Sequence, residues 1–192
     1  LWDIQVITPM KQGPLGTREL NRVLQARLNP PDPQKSEHTD LGRTLREGDK
    51  VMQVRNNYDI PWKDDQGREG QGVFNGDIGI IEMIDPPSKT ILVRFDEVVV
   101  PYNFDAAGQL EQAYAITIHK SQGSEFEAVV MPLMGEHQKL HYRNLLYTGV
   151  TRARRLLVMA GEQATVARMV KNHRRTRRYT NLTPMLREAV EG

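Results

Sequence analysis

The sequence predicts an α/β fold: a parallel sheet with helices on both faces, interrupted by a small all-β insertion. Two observations carry this. Toward both ends of the chain, short apolar runs alternate with stretches of helical periodicity, as when Ile4–Ile7 is followed by Leu20, Val23, Leu24 and Leu28 on one helical face. Between about Arg43 and Leu110 that periodicity stops, and short strands follow one another, separated by Asn, Asp, Gly and Pro turns.

In chain order, Ile4 to Thr8 is a short strand that Pro9 ends, and Lys11-Gln-Gly-Pro-Leu-Gly16 is a glycine-bearing loop. Thr17 is placed to cap a helix that Asn29-Pro30-Pro31 terminates. A strand, a Gly-rich loop and a helix N-terminus favour anions, because free amide N–H groups point into the loop. A plain βα connection has the same form, and no Gly-Lys-Ser or Gly-Lys-Thr follows. Pro30 to Gly42 is polar and proline-rich, the mark of a surface loop.

The insertion begins at Arg43. Its strands are Lys50–Arg55, Ile78–Ile84, Thr90–Phe95 and Glu97–Tyr102, a small antiparallel barrel or meander. Asp59 to Gly72 is polar and Gly-bearing, expected as a mobile hairpin tip. Trp62 within it reads as packing on the barrel in preference to stacking on a base.

After the insertion, Ile116 and Ile118 alternate with Thr117 and His119, as in a half-buried strand. The loop His119-Lys-Ser-Gln-Gly-Ser-Glu125 carries no apolar side chain, and Phe126–Leu133 follows as a buried strand. Such a loop puts donors and a carboxylate at a sheet edge, where α/β folds bind ligands, although an ordinary turn looks the same. Leu140–Val150 is a helix with Leu145, Leu146 and Tyr147 toward the sheet, and Arg155–Ala160 a further strand. Glu162–Asn172 is a helix burying Val166, Met169 and Val170, and Thr183-Pro184 opens a last short helix to Val190.

The totals exclude several function classes. The chain has 192 residues and no cysteine, hence no disulfide or thiolate metal site. No apolar run approaches the ~20 residues of a membrane span. Leu1 leading directly into a strand suggests a piece of a longer protein. The five histidines are scattered without a carboxylate cluster, and no nucleophile–base pair stands out. Lys and Arg number 26 against 24 Asp and Glu, so net charge says little about nucleic acid. The acid-free block from Arg168 to Arg178 reads as a phosphate-contacting segment or, somewhat better, as a solvated face.

Two segments together resemble superfamily 1 helicases. Thr117-x-His119-x-x-x-Gly123-x-Glu125-Phe126 is similar to the family's motif V, and Tyr147-Thr-Gly-Val-Thr-Arg152-Ala-Arg154 to its motif VI. Gly48-Asp-Lys-Val-Met-Gln53, Asn56-Asn-Tyr58 and Asn75-Gly-Asp-Ile-Gly79 resemble the SH3-like barrel inserted in the RecD-like branch. The resemblance implies a RecA-like second motor domain in two segments, residues 1–42 and 112–192, around an SH3-like barrel at 43–111.

What the resemblance implies for function is specific. Arg152 would be an arginine finger on the γ-phosphate, and Gly123, Glu125 and Arg154 would meet the nucleotide, Glu125 at a ribose hydroxyl. Arg152 could instead bridge a helix end, Arg154 and Arg155 could serve nucleotide, nucleic acid or a surface ion pair, and Glu125 could cap or pair locally. Thr8, Met10, Lys11, Thr117, His119 and Lys120 would lie along single-stranded DNA, with Arg55 and Asn75 near the barrel's turns. ATP with Mg²⁺ would be bound jointly with an upstream RecA-like motor domain of the same polypeptide, because the phosphate-cradling motif is missing from this chain. The chain alone is therefore expected not to hydrolyse ATP. The implied whole is a cytoplasmic 5′-to-3′ DNA helicase, in a recombination or repair complex. A nucleic-acid-binding module without a motor role, and an inactive assembly domain of a conjugation-type helicase, are the competing readings.

Overall fold

The computed structural model describes residues 3–40, 42–135, 140, 142–173, 187 and 189. In chain order they form β1 (Ile4–Thr8), α1 (Thr17–Leu28), β2 (Glu37–Asp40), β3 (Arg43–Arg46), β4 (Lys50–Gln53), β5 (Asn57–Asp64) and β6 (Glu69–Val73). Then come β7 (Ile78–Asp85), β8 (Thr90–Phe95), β9 (Val98–Asn103), a 3-10 turn at Phe104–Gln109, β10 (Leu110–Gln112), β11 (Ala115–Thr117) and β12 (Phe126–Leu133). The described part ends with α2 (Arg143–Val150), β13 (Ala153–Gly161) and α3 (Gln163–Lys171).

The terminal strands make the expected parallel sheet, in the order β11-β1-β12-β13. Its core holds Ile7, Ile116, Val129, Met131 and Leu133 against Leu145, Leu146 and Met169 of the helices. Gly149 lets α2 lie close: a Cβ there would come within 2.6 Å of the Met131 methyl. β11 is buried at all three residues, so the expected half-exposed strand is covered on both faces.

The insertion is an antiparallel sheet in the order β10-β4-β7-β8-β9-β5-β6. It curls about its own core of Val51, Ile81, Ile91, Val93, Val100 and Tyr102. Tyr102 of β9 donates to the Gln53 side chain of β4 at 3.0 Å, although those strands are not neighbours in the sheet. The expected surface loop before Gly42 contains β2, which pairs with β3 in a two-stranded sheet of its own. The expected mobile tip is the regular hairpin β5–β6, and Trp62 packs on the barrel core across Gly70.

Some helix faces differ from the periodicity. Asn21 is the buried residue of α1, while Val23 and Leu28 are exposed. Asn21 donates to the carbonyls of Gln112 and Ala115 and accepts from the Ala115 N–H, so a polar side chain holds the helix on the backbone of the returning chain. Gly16, not Thr17, is the N-cap, and the helix N-terminus is closed by backbone bonds to Met10 and Lys11 carbonyls. Tyr147 is exposed because Leu145, Leu146 and Gly149 form the buried face of α2. In α3, Thr165 and Met169 are buried and Val170 is exposed. The helix expected after Thr183 and the basic stretch from Arg174 lie outside the described residues, apart from positions 187 and 189.

A buried hub joins the two parts. Asp49 accepts from Asn29 Nδ2 at 2.7 Å, Gln25 Nε2 at 2.6 Å, the Tyr114 hydroxyl at 2.9 Å and the Arg46 N–H at 2.9 Å.

Candidate functional site

The polar loop between β11 and β12 is built by its own side chains. Thr117 Oγ1 accepts from the Lys120 N–H, and Ser121 Oγ donates to the Ile118 carbonyl at 2.8 Å. Gly123 has φ +90, and a Cβ there would meet nothing within 4 Å, so the left-handed backbone, not space, calls for glycine. Because β1 lies between β11 and β12, the loop crosses a face of the sheet. It leaves level with Thr8, at the C-terminal end of β1, and re-enters at Phe126, two residues before the Ala128 that pairs with Ile4. At ~3.3 Å per residue its two ends are about 20 Å apart along the strands. The expected placement of all these groups at one sheet edge is therefore corrected to two groups at opposite strand ends.

At the Phe126 end, Arg152 follows α2. Its Nη1 donates to the Ser124 carbonyl at 3.0 Å, Nε to the Thr148 carbonyl at 3.1 Å and Nη2 to Thr151 Oγ1 at 3.1 Å. These partners are neutral oxygens. The Phe126 N–H in turn donates to the Arg152 carbonyl at 2.8 Å, tying the loop's exit to the arginine. Next to it, Arg154 Nε donates to Glu125 Oε2 at 3.0 Å and also faces Glu127, and these carboxylates hold the guanidinium's pKa above its ordinary value. Glu125 is thus an ion-pair partner, one of its alternative sequence readings. Arg155 lies 3.9 Å from Glu127.

At the Thr8 end, Lys11, Thr117 and Lys120 line a cleft of about 780 Å³ between α1, β3, β10 and β11. Thr8 and Thr117 are themselves buried. Thr8 donates to the Leu15 carbonyl at 2.7 Å and so supports the β1–α1 loop from within. The Thr117 hydroxyl likewise accepts from the Lys120 amide of its own loop. His119 is exposed and Met10 half-buried, both beside this cleft in sequence but not in its lining. Arg55 and Asn75 are exposed at turns of the barrel, outside the cleft. Sequence reasoning passed over Arg18, Arg43 and Glu111, which line it. The lone signal for them was charge within short, otherwise unremarkable segments.

Among the described residues no three His, Asp or Glu side chains group as metal ligands, and no helix is long and apolar enough to cross a membrane. The donors grouped at the Phe126 end are chiefly guanidinium groups, whose planar fork fits anionic oxygens.

Comparison with known proteins agrees with this architecture. The family profile for the SH3 domain of ATP-dependent RecD-like DNA helicases matches residues 20–95, and that for the UvrD-like helicase C-terminal domain matches residues 112–160. An ATP-dependent RecD2 DNA helicase from Deinococcus radiodurans is 34% identical over 184 residues, covering 96% of this chain and 23% of that protein. The RecBCD enzyme subunit RecD of Mycolicibacterium smegmatis is 30% identical, over 93% of this chain and 28% of that protein. The chain thus spans about a quarter of the length of these relatives. Among solved structures, Bacteroides Pif1 bound to ssDNA shares the fold, with a TM-score of 0.54 at 17% identity over 98% of this chain and 45% of that one. Pif1 helicase from Candida albicans gives 0.54 at 15% identity, over 98% and 50%. The chain belongs to the RecD-like superfamily 1 helicases, and carries their SH3-like and UvrD-like C-terminal helicase domains.

Proposed function

We propose that this chain is the second motor domain, with its inserted barrel, of an ATP-dependent 5′-to-3′ DNA helicase. In this reading Arg152 is the arginine finger, Gly123, Glu125 and Arg154 form the nucleotide rim, and Lys11, His119 and Lys120 form part of a single-stranded DNA track. Thr8, Met10 and Thr117 shape that track. Arg55 and Asn75 extend it onto the barrel. ATP with Mg²⁺, held jointly with an upstream motor domain, would supply the phosphoanhydride whose hydrolysis drives the cycle, in a cytoplasmic recombination or repair complex.

The observation that carries the reading is the bonding of Arg152. Neutral oxygens hold its guanidinium at the loop's exit, and among the described residues no carboxylate pairs with it. Leaving two carbonyls and a hydroxyl for a γ-phosphate exchanges weak neutral bonds for charge-assisted, bidentate ones. Arg154, already paired with Glu125, is the poorer candidate for that step and the better one for ordering the rim. The separation of the two groups by about 20 Å suits two different ligands, a nucleotide and a strand.

The test is Arg152→Ala and Arg152→Lys in the full-length protein. Strand-stimulated ATP hydrolysis should fall about 10³-fold or more in both, since lysine lacks the planar fork, while oligonucleotide affinity is kept. Unchanged hydrolysis in Arg152→Ala would refute the finger, and would favour the binding-module reading if strand affinity persisted.

A further inference from the structure

The cleft proposed for the strand already contains two acids, Asp40 and Glu111, among several cations. Lys120 Nζ donates to Glu111 Oε2 at 2.9 Å, and both line the cleft with Lys11, Arg18 and Arg43. Partial burial pushes the Glu111 carboxyl up, but the Lys120 hydrogen bond, with Lys11 and Arg43 nearby, holds it below the ordinary carboxylate value. The lysine side chain is 25% exposed and the glutamate 47%, so the pair is reachable from solvent. The two residues come from different parts of the fold. Lys120 sits on the loop after β11, whereas Glu111 sits on β10, paired to β4 of the inserted sheet.

We propose that Glu111 is a phosphate stand-in: it occupies Lys120 when the cleft is empty, and a backbone phosphodiester of the strand displaces it. This rests on the reading of Lys120 as a strand contact. A carboxylate and a phosphodiester each carry one negative charge and offer oxygens at the same distance to an ammonium group. Half-exposed ion pairs are weak, so a phosphate can take the lysine over at small cost. The arrangement keeps the cleft from holding the strand at full strength, which suits a grip that must be released in every cycle.

The experiment measures fluorescence anisotropy of labelled oligo-dT with the intact protein, over a range of salt, for wild type, Glu111→Gln, Lys120→Ala and the double variant. Glutamine keeps the shape and removes the charge. Binding by Glu111→Gln should tighten by about two- to fivefold. Its log–log salt slope should steepen by up to about 0.7, because a displaced Glu111 no longer takes up a cation. In the Lys120→Ala background the glutamine change should tighten binding clearly less than in wild type, since the nearest cation is then missing. Glu69→Gln, which breaks the Lys63–Glu69 pair of the β5–β6 hairpin, should leave affinity unchanged. If Lys120→Ala weakens binding but Glu111→Gln does not tighten it, or if Glu69→Gln tightens it equally, the stand-in is overturned and the strand reading survives. If Lys120→Ala itself leaves affinity unchanged, the reading of Lys120 as a strand contact fails, and the stand-in with it.

Discussion

Truncating Asp49 to alanine should loosen the insertion from the parallel sheet. Asp49 is fully buried and accepts four hydrogen bonds, from Asn29, Tyr114, Gln25 and the Arg46 amide. Two of these donors keep a second acceptor, because Gln25 also donates to the Thr44 carbonyl and Asn29 to the Glu47 carbonyl. The proton of the Tyr114 hydroxyl and the Arg46 N–H are left without an acceptor. At about 1–3 kcal/mol for each buried donor without a partner, the loss comes to roughly 2–6 kcal/mol. That is a large share of the ~5–15 kcal/mol that holds a domain folded. Urea unfolding in a Trp2→Phe background, followed by far-UV circular dichroism and by the fluorescence of Trp62 in the insertion, measures it. The wild type should unfold with the two probes in step, and Asp49→Ala earlier, with the probes separating as the parts come apart. Asp49→Asn should cost nearly as much, since its amide N–H₂ would face other donors. A loss under about 1 kcal/mol with coincident probes would refute the assignment of Asp49 as the joint.

Lys50 makes stability depend on pH. Burial lowers its pKa from 10.5 to about 8, with Asp3 opposing, and its Nζ donates to the Ile4 carbonyl at 3.2 Å. Below pH 8 the charge is buried at full cost; as pH rises from about 8 toward 10.5 the folded state sheds its proton first and stability increases, by up to about 3 kcal/mol. Lys50→Met should flatten that rise in unfolding curves at pH 7 to 10, and an unchanged profile would count against it. Trp62→Ala should lower the stability of the inserted sheet by about 2–3 kcal/mol, below the full cost of a core tryptophan because the ring is half-buried, and leave oligonucleotide affinity within about twofold. A tenfold loss of affinity at an unchanged unfolding midpoint would instead make Trp62 a base-stacking residue.

Much of the fold was legible because it rests on local patterns. The parallel sheet follows from β-branched runs alternating with helical stretches, and β7, β8 and β9 from apolar alternation between Asp-, Pro- and Asn-bearing turns. The β2–β3 hairpin and the regular strands of the β5–β6 tip were not, since Glu37–Asp40 and Glu69–Val73 are too polar and Gly-rich to show alternation, and their strands form because partners are at hand. The face of α1 was misread because Asn21 is buried by backbone atoms more than ninety residues away, a long-range bond that no period encodes. The same holds for the site. The motif residues Gly123, Glu125 and Arg152 could be picked out by resemblance, whereas Glu111 meets Lys120 only once β10 has paired with β4.

The neighbours β1 and β11 pair Val6 with Ala115 across the whole insertion. Closing a loop of some hundred residues is entropically expensive for a random chain. If the inserted sheet forms first, Val51 meets Gln112, and the length left to close shrinks to about fifty residues, saving roughly 0.7 kcal/mol. Asn21, clasping both Gln112 and Ala115, then acts as the latch on a gap already narrowed. The early strand thus finds its distant neighbour through an intervening body that brings the two ends of the chain together, and any other module with equally close termini could stand at the same point.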